Sequence, residues 1–594
     1  MDKQEKISQI LKKIKSGNIQ EVLTELLHLI KENPDILEYT QLYGKICYEI
    51  NNLDEAEKVF LSLIKKNKQS LEYLKNLYII YLKKNNLVSA EKTIVKILTI
   101  NSKDYSALRD LGYIKFLKNN FTEAKLIYEK INKEISKDVF ALNIYGLINY
   151  FIGDLDEAVK QFIKAINFNP NYIDSYNNLG KIYFDKEDLN NAFNNFKKAY
   201  KLNKDLPNTL INIGNILSLK DKNYNSILAY KKALKDTNKK GEVLANISIA
   251  YSRIKDLDNS IKYYNKAIKY SANNASLKLS LSYLYLYKNE FSNAWKFFDA
   301  RIQNSKFFRK KYNPELISYI LKCNQNFSQK DKVLILREQG VGEEILFSSL
   351  YNDLIKYSDN ITIEADPRLL NIFERSFNKK IFVKDGKFSK NIESLKKFDT
   401  VIFAGSLCKK FRRKNHDFKN YQYLLSDKKK DKKIYSKLTL NNKKIKVGLS
   451  WKSVVSIYGN LKSLNLNNFK KLFKNDRQII NLQYGNTEKE IKEFENENCK
   501  IYTFNGIDLF NNIEDCMSIL KNIDVFVTIS NSTAHIAAAM GVRTILICPK
   551  KSSTYFYWSN ENGSTLWYEN VTILKVSGSV NKTINKIDKI LDQI

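Results

Sequence analysis

In residues 3–308 apolar side chains fall at helical spacing, and the pattern they make repeats every 34 residues as a pair of helices. One site of the repeat is held by Gly44, Tyr78, Gly112, Gly146, Gly180, Gly214, Ser248 and Ser282. Twelve residues on stand Ala56, Ala90, Ala124, Ala158, Ala192, Ser226, Ser260 and Ala294, and four beyond these Phe60, Ile94, Tyr128, Phe162, Phe196, Tyr230, Tyr264 and Phe298. Small residues at two sites let paired helices cross closely, and the large one fills the groove towards the next pair. Turn residues such as Asn51-Asn52, Gly153-Asp154 and Lys255-Asp256 separate the two helices. Carried backwards, the frame gives a degenerate first unit with Val22 and Leu26 at the matching sites and Pro34 closing it, so nine units are expected over 3–308.

Beyond a helical connector at 309–329 the pattern changes to short apolar runs alternating with helices. Runs at 333–336, 361–365, 381–383 and 401–404 predict a first small parallel sheet within 330–427. Runs at 445–451, 479–483, 500–504, 525–529 and 544–548, with helices at 465–473, 487–497 and 513–522, predict a second within 445–594. The Lys-rich stretch between them, 428–444, reads as a solvated linker. The expected fold is an α-solenoid followed by a two-lobed, Rossmann-like α/β domain.

The period and the small/large order resemble the tetratricopeptide repeat family, which implies a superhelix whose concave face binds a protein or peptide. Two residues before the small site stand Asn76, Asn178, Asn212 and Asn246. They resemble the asparagine ladder of the O-linked N-acetylglucosamine transferases, in which side-chain amides donate to and accept from a peptide backbone.

The segment 524–541 reads as strand, tight loop and helix, with Gly541 at the helix end and another strand following. Such a unit leaves helix N–H groups at the carboxyl edge of the sheet, where phosphates bind. Ser530-Asn-Ser-Thr-Ala-His535 resembles the Asp-Thr-Gly-x-x-His phosphate loop of the heptosyltransferase-like glycosyltransferases, and more closely its Asn-Ser-Thr-Ala-His form in repeat-fused members. The resemblance implies that Ser530, Asn531, Ser532, Thr533 and His535 face a donor diphosphate, with Ser532 or Thr533 capping the helix. The loop 337–346 carries Gly340 and Gly342 after a strand and resembles the acceptor-side Gly-x-Gly-Asp loop of the same superfamily. Glu343 takes the place of the aspartate, so Glu343 or its neighbour Glu344 is the expected base. Trp451-Lys452 and Lys462-Ser463-Leu464 resemble the segments that bring basic residues to the donor phosphates. Tyr555-Phe-Tyr-Trp558 and Leu566-Trp-Tyr568 resemble an aromatic closing segment that stacks on a base or sugar, or packs in the core.

Lysine and arginine number 98 against 64 acidic residues, a net charge of +34. The excess is mostly Lys in a chain with only 6 Pro and 19 Gly, which fits compositional drift; no aromatic-interleaved Arg patch points to specific nucleic-acid binding. The six cysteines never approach CxxC spacing and read as reduced, mostly buried thiols. No apolar run approaches the ~20 residues that span a bilayer, and the charged start of the chain runs straight into an amphipathic helix, so a cytoplasmic protein is expected. No metal cluster, P-loop or Ser/His/Asp order stands out. The resemblance implies a metal-independent GT-B glycosyltransferase with a nucleotide-sugar as substrate, no cofactor, and a protein acceptor on the repeats. Two other readings remain open: a repeat scaffold with a degenerate transferase domain, and a transferase acting on surface polysaccharide or lipid-linked glycan.

Overall fold

The computed structural model describes residues 3–15, 18–323, 326–419, 421–438, 444–453, 462–495, 499–548, 555–558, 563–576 and 578–594. By packing, the chain divides into two compact units, 1–239 and 240–594. The boundary expected at 308 therefore falls inside the second unit, because the last helix pair packs on the α/β part: Phe291, Trp295 and Phe298 share a core with Phe347 and Phe418.

Each 34-residue period is one pair of antiparallel helices, from Lys3–Lys15 with Ile19–Glu32 to Ala275–Tyr287 with Phe291–Phe298. The turn inside the pairs is set by one left-handed residue that recurs with the same period: Asn51, Asn85, Asn119, Gly153, Glu187, Asp221, Lys255 and Asn289. The next residue often caps the second helix, as when Asn52, Asn86, Asp154 and Asp188 accept from the N–H three positions on.

The small/large rule acts through contact. A Cβ on Gly146 would meet the Phe162 ring at 2.6 Å, and one on Gly214 would meet Tyr230 at 2.5 Å. In the third unit the sizes are reversed, Tyr78 opposite Ile94, and the pair still packs. Gly146→Ala is expected to lower the stability of the first unit by about 1–3 kcal/mol, read from the urea midpoint, and Phe162→Leu in the same chain to restore most of it. A single variant as stable as the parent would show that the ring moves aside at no cost.

In the second unit β1 (Val333–Leu336), β2 (Ile361–Ala365), β3 (Phe382–Lys384) and β4 (Thr400–Phe403) form a parallel sheet in the order β3-β2-β1-β4. A second parallel sheet has the order β10-β9-β8-β5-β6-β7, from β5 (Ile445–Ser450), β6 (Arg477–Asn481), β7 (Ile501–Tyr502), β8 (Val525–Ile529), β9 (Thr544–Cys548) and β10 (Val571–Lys575). Near-continuous apolar runs make these strands because both faces of a parallel sheet are covered; β1, β4, β8 and β9 are buried along their whole length.

Three expectations change. The Lys-rich stretch is not a linker over its first part but a helix, Lys428–Leu438, because Ile434 and Leu438 fall four apart and bury against the core; residues 439–443 lie outside the described ones. The helix expected at 465–473 is a run of 3-10 turns, Leu466–Leu472, and that at 487–497 is Glu488–Phe494, with 496–497 outside the described residues. Between the two sheets, helix α1 (Val341–Ser348) of the first packs on helix α3 (Ser532–Ala539) of the second within one core that includes Ile345, Leu346, Ala534 and Ala538. With α1 and α3 so placed, Lys428–Leu438 is α2.

Candidate functional site

In the second sheet the chain changes direction between β5 and β8, and the crevice beyond their carboxyl ends is the ligand position of open α/β sheets. Asn531 closes that point from both sides. Its amide donates to Ser450 Oγ at 2.8 Å and its carbonyl accepts from Ala534 N at 3.0 Å. Asn531 is therefore the cap of α3, a role expected of Ser532 or Thr533. The two latter supply the first N–H groups of the helix, which have no partner within it.

A cavity of about 330 Å³ opens there between the sheets, lined by Val341, Arg368, Tyr484, Phe510, Ser532 and Thr533 among others. Phe510 is 52 % exposed and its ring centroid lies 5.9 Å from that of Tyr484. Arg368 sits 5.4 Å over the Phe510 ring, donates to the Phe510 carbonyl at 3.1 Å, and grips both oxygens of Asp366 at 2.9 Å. Nothing in the sequence reading singled out Arg368, Tyr484 or Phe510. They come from the loops after β2, β6 and β7, and only the packing of the two sheets brings them together.

His535 lies on the inner side of the same helix, 3 % exposed among Tyr557, Trp558 and Tyr568. Tyr423 OH donates to the Ile345 carbonyl at 2.9 Å, and Tyr568 OH lies 2.9 Å from His535 Nδ1. Burial, helped by the nearby Lys462 ammonium, pushes the His535 pKa down to about 3. The expected phosphate-binding cation is thus a neutral side chain.

The lysines divide likewise. Lys452 is spent on Glu490, at 2.6 Å. Lys462 is 8 % exposed with its ammonium 3.9 Å over the Tyr555 ring, and burial lowers its pKa against the pull of Glu343. Ser530 accepts from Trp558 Nε1 at 3.1 Å. Tyr557, Trp558, Trp567 and Tyr568 are all buried, so packing takes these aromatics and only the Tyr555 end of the segment stays exposed.

Across from α3, Gly340 has extended backbone and open space, so nothing demands glycine there. Gly342 is different: a Cβ would come within 3.0 Å of His535 Cδ2, and the missing side chain is what lets α1 and α3 meet. Glu343 keeps a partly exposed edge, and burial, then repulsion from Glu338, raises its pKa to about 7. Glu344 is raised to about 7 by burial as well, but it is sealed: it accepts from Asp366 N at 2.8 Å and lies 3.0 Å from Arg337. A base that must reach a substrate is not available at Glu344.

Of the repeat amides, Asn76 donates to the carbonyl of Glu72 in its own helix and Asn178 to Asn143. Asn212 and Asn246 are half-buried, and the same site is Asp110 and Ile144 in two further units, so the amides do not form an unbroken row. Among the described residues no group of three or more His, Cys, Asp or Glu is arranged to hold a metal ion, and no helix is long and apolar enough to cross a membrane. All six cysteines are free thiols, five of them buried.

Residues 146–186 match the family described as TPR repeat, and residues 173–206 and 241–274 that described as tetratricopeptide repeat. The helix pairs within these residues match tetratricopeptide repeats. Repeats of this kind are protein-interaction scaffolds. Among curated proteins the chain is 25 % identical over 253 residues to Protein FlbA of Caulobacter vibrioides, which covers 38 % of this chain and 42 % of FlbA, so less than half of that relative's length is matched. Similar solved structures include a tetratricopeptide repeat protein from Parabacteroides merdae (18 % identity, 42 % of this chain and 98 % of that one, TM-score 0.36). Pseudomonas aeruginosa pilF follows at 18 % identity, 38 % and 95 % coverage and TM-score 0.31. YrrB, described as having an unusual peptide-binding site, stands at 19 %, 31 %, 95 % and 0.27.

Proposed function

We propose that the α/β part is a GT-B glycosyltransferase that takes a nucleotide-sugar into the pocket at the first turn of α3, and that the repeats bind the protein to be modified. One observation carries this reading: a helix N-terminus, two hydroxyl side chains, the aromatic pair Tyr484 and Phe510 and a fixed guanidinium converge on one cavity at a strand switch point. The N–H groups of Ser532 and Thr533 suit phosphate oxygens, and Tyr484 and Phe510 offer faces to a base.

With Lys452 paired and His535 neutral, the charge on the departing nucleotide phosphate is met by the helix end and by Lys462. As the bond from the sugar to phosphate breaks, the acceptor hydroxyl attacks the anomeric carbon and Glu343 takes its proton. A carboxyl with a pKa of about 7 is well matched to that task near neutral pH. His535 acts as a positioning residue from the buried side of α3.

A second reading, a repeat scaffold whose α/β part no longer catalyses, is favoured by the loss of two phosphate cations to Glu490 and to burial. Calorimetric titration of UDP, GDP, ADP and CMP separates the two. One nucleotide is expected to bind at micromolar Kd, about −8 kcal/mol. Phe510→Ala, a change at an exposed side chain, is expected to weaken it by about 5–150-fold through lost stacking, and Ser532→Asp to abolish it by placing a carboxylate where phosphate belongs. If no nucleotide binds at millimolar concentration, the scaffold reading replaces this one.

A further inference from the structure

Helix α2 carries six lysines in eleven residues, and one face of it is unlike any core-packed helix of the second unit. Ile434 and Leu438 turn inwards, while Lys428, Lys429, Lys432, Lys433 and Lys437 are exposed. Among the described residues only Lys430 of this helix reaches a carboxylate, Asp515 at 2.7 Å. The acids that could neutralise the others are occupied. Asp427 accepts from the N–H groups of Lys429 and Lys430, Asp431 from the Ser426 hydroxyl, and Glu514 from Arg375.

Two apolar side chains in and just before this helix are exposed, Tyr435 at 56 % and Leu425 at 46 %. Leu425 is held from both sides, its N–H on Ser376 Oγ and its carbonyl on Arg375 Nε, each at 2.9 Å. The clasp ties Leu425 to the end of the helix Leu370–Phe377, which the exposed Lys379 and Lys380 follow in the chain.

We propose that this face docks the protein on a membrane surface rich in anionic lipid, the lysines over the headgroup phosphates and Leu425 and Tyr435 entering the interfacial layer. The charges are complementary, and a row of lysines with an aliphatic and an aromatic side chain is the composition of surface-lying amphipathic segments. A nucleic acid would feel the same charge, but α2 has none of the Arg, Asn or Gln side chains that contact bases and backbone in a fixed geometry, and a protruding leucine gains nothing on a phosphate backbone. Because the whole chain is basic, local placement rather than net charge must decide the effect.

The test is co-sedimentation of the full chain with vesicles of phosphatidylcholine alone and of phosphatidylcholine mixed with phosphatidylserine, at physiological salt. Binding is expected only to the mixed vesicles. The combined variant Lys428→Glu, Lys429→Glu, Lys432→Glu and Lys433→Glu should bind at least about tenfold more weakly. A control that reverses four exposed lysines elsewhere, Lys164, Lys197, Lys201 and Lys204, has the same net charge and should bind nearly as the parent does. Tyr435→Ser with Leu425→Ser should weaken vesicle binding without changing retention on duplex DNA. Equal loss in the control, no binding to the mixed vesicles, or patch-dependent binding to DNA stronger than to vesicles would each overturn the proposal.

Discussion

Glu338→Ala lowers the unfolding free energy of the second unit by about 3–5 kcal/mol, because it leaves a buried guanidinium without its main partner. Glu338 is 1 % exposed and Arg301 is 4 % exposed, and they meet at 2.6 Å. Glu338 Oε1 also accepts from Gly405 N at 2.7 Å, so one carboxylate joins the end of β1, the second residue after β4 and the short helix Ala300–Asn304. Asp299 holds the other side of the guanidinium at 2.9 Å and itself bonds Ser406 and Lys409. The switch point of the first sheet, between β1 and β4, is thus filled by an arginine that follows the last repeat. Breaking such a pair costs more than the pair contributes, since the remaining charge keeps its desolvation penalty. Arg301→Met combined with Glu338→Met is therefore expected to be more stable than Glu338→Ala alone. Urea midpoints at neutral pH decide it; a single variant within 1 kcal/mol of the parent would show that water reaches the guanidinium.

His535 is expected to make the protein lose about 1.4 kcal/mol of stability per pH unit as the pH falls from about 6.5 towards 3. The sign follows from where the proton binds. In the folded chain the imidazole stays neutral down to about 3, whereas in the unfolded chain it takes a proton near 6.5, so acid draws the equilibrium towards the unfolded state. Glu343 and Glu344 act in the opposite sense. Their folded pKa of about 7 lies above the ordinary glutamate value of 4.5, so the folded state takes up their protons first and gains stability as the pH falls through that window. The raw stability curve therefore mixes the two. The difference between the parent and His535→Gln isolates the histidine: the parent's advantage should shrink steadily below pH 6.5. Parallel curves for the two chains would mean that His535 is protonated in the folded state, which would return it to the list of phosphate-binding cations.

Much of the secondary structure was legible because its cause is local. The repeat register rests on contacts between residues sixteen apart, such as Gly146 with Phe162, which any chain segment of that length must make on forming the pair. Strands β1, β2, β8 and β9 stood out as apolar runs. Strand β10 and the helix Val580–Leu591 did not, since they follow an irregular aromatic segment and β10 has exposed positions. The candidate site was half legible. The Ser530–His535 segment lies at a strand end with its helix, a placement that strand-loop-helix order alone predicts. The division of labour within it needed the fold: Asn531 caps because Ser450 of another strand meets its amide, and His535 is held neutral by burial among Tyr557, Trp558 and Tyr568 and by the nearby Lys462.

By itself the sequence determined the elements whose partners are near in the chain, the helix pairs, the strand runs and the helix behind β8, because hydrophobic period and turn chemistry act over a few residues. Tertiary structure alone decided which charges are free. Lys452 met Glu490, Glu344 met Arg337, and Glu343 was left partly exposed. A side chain's charge state depends on what lies within a few ångströms and on how much water is displaced, and those neighbours come from strands and helices far apart in the chain.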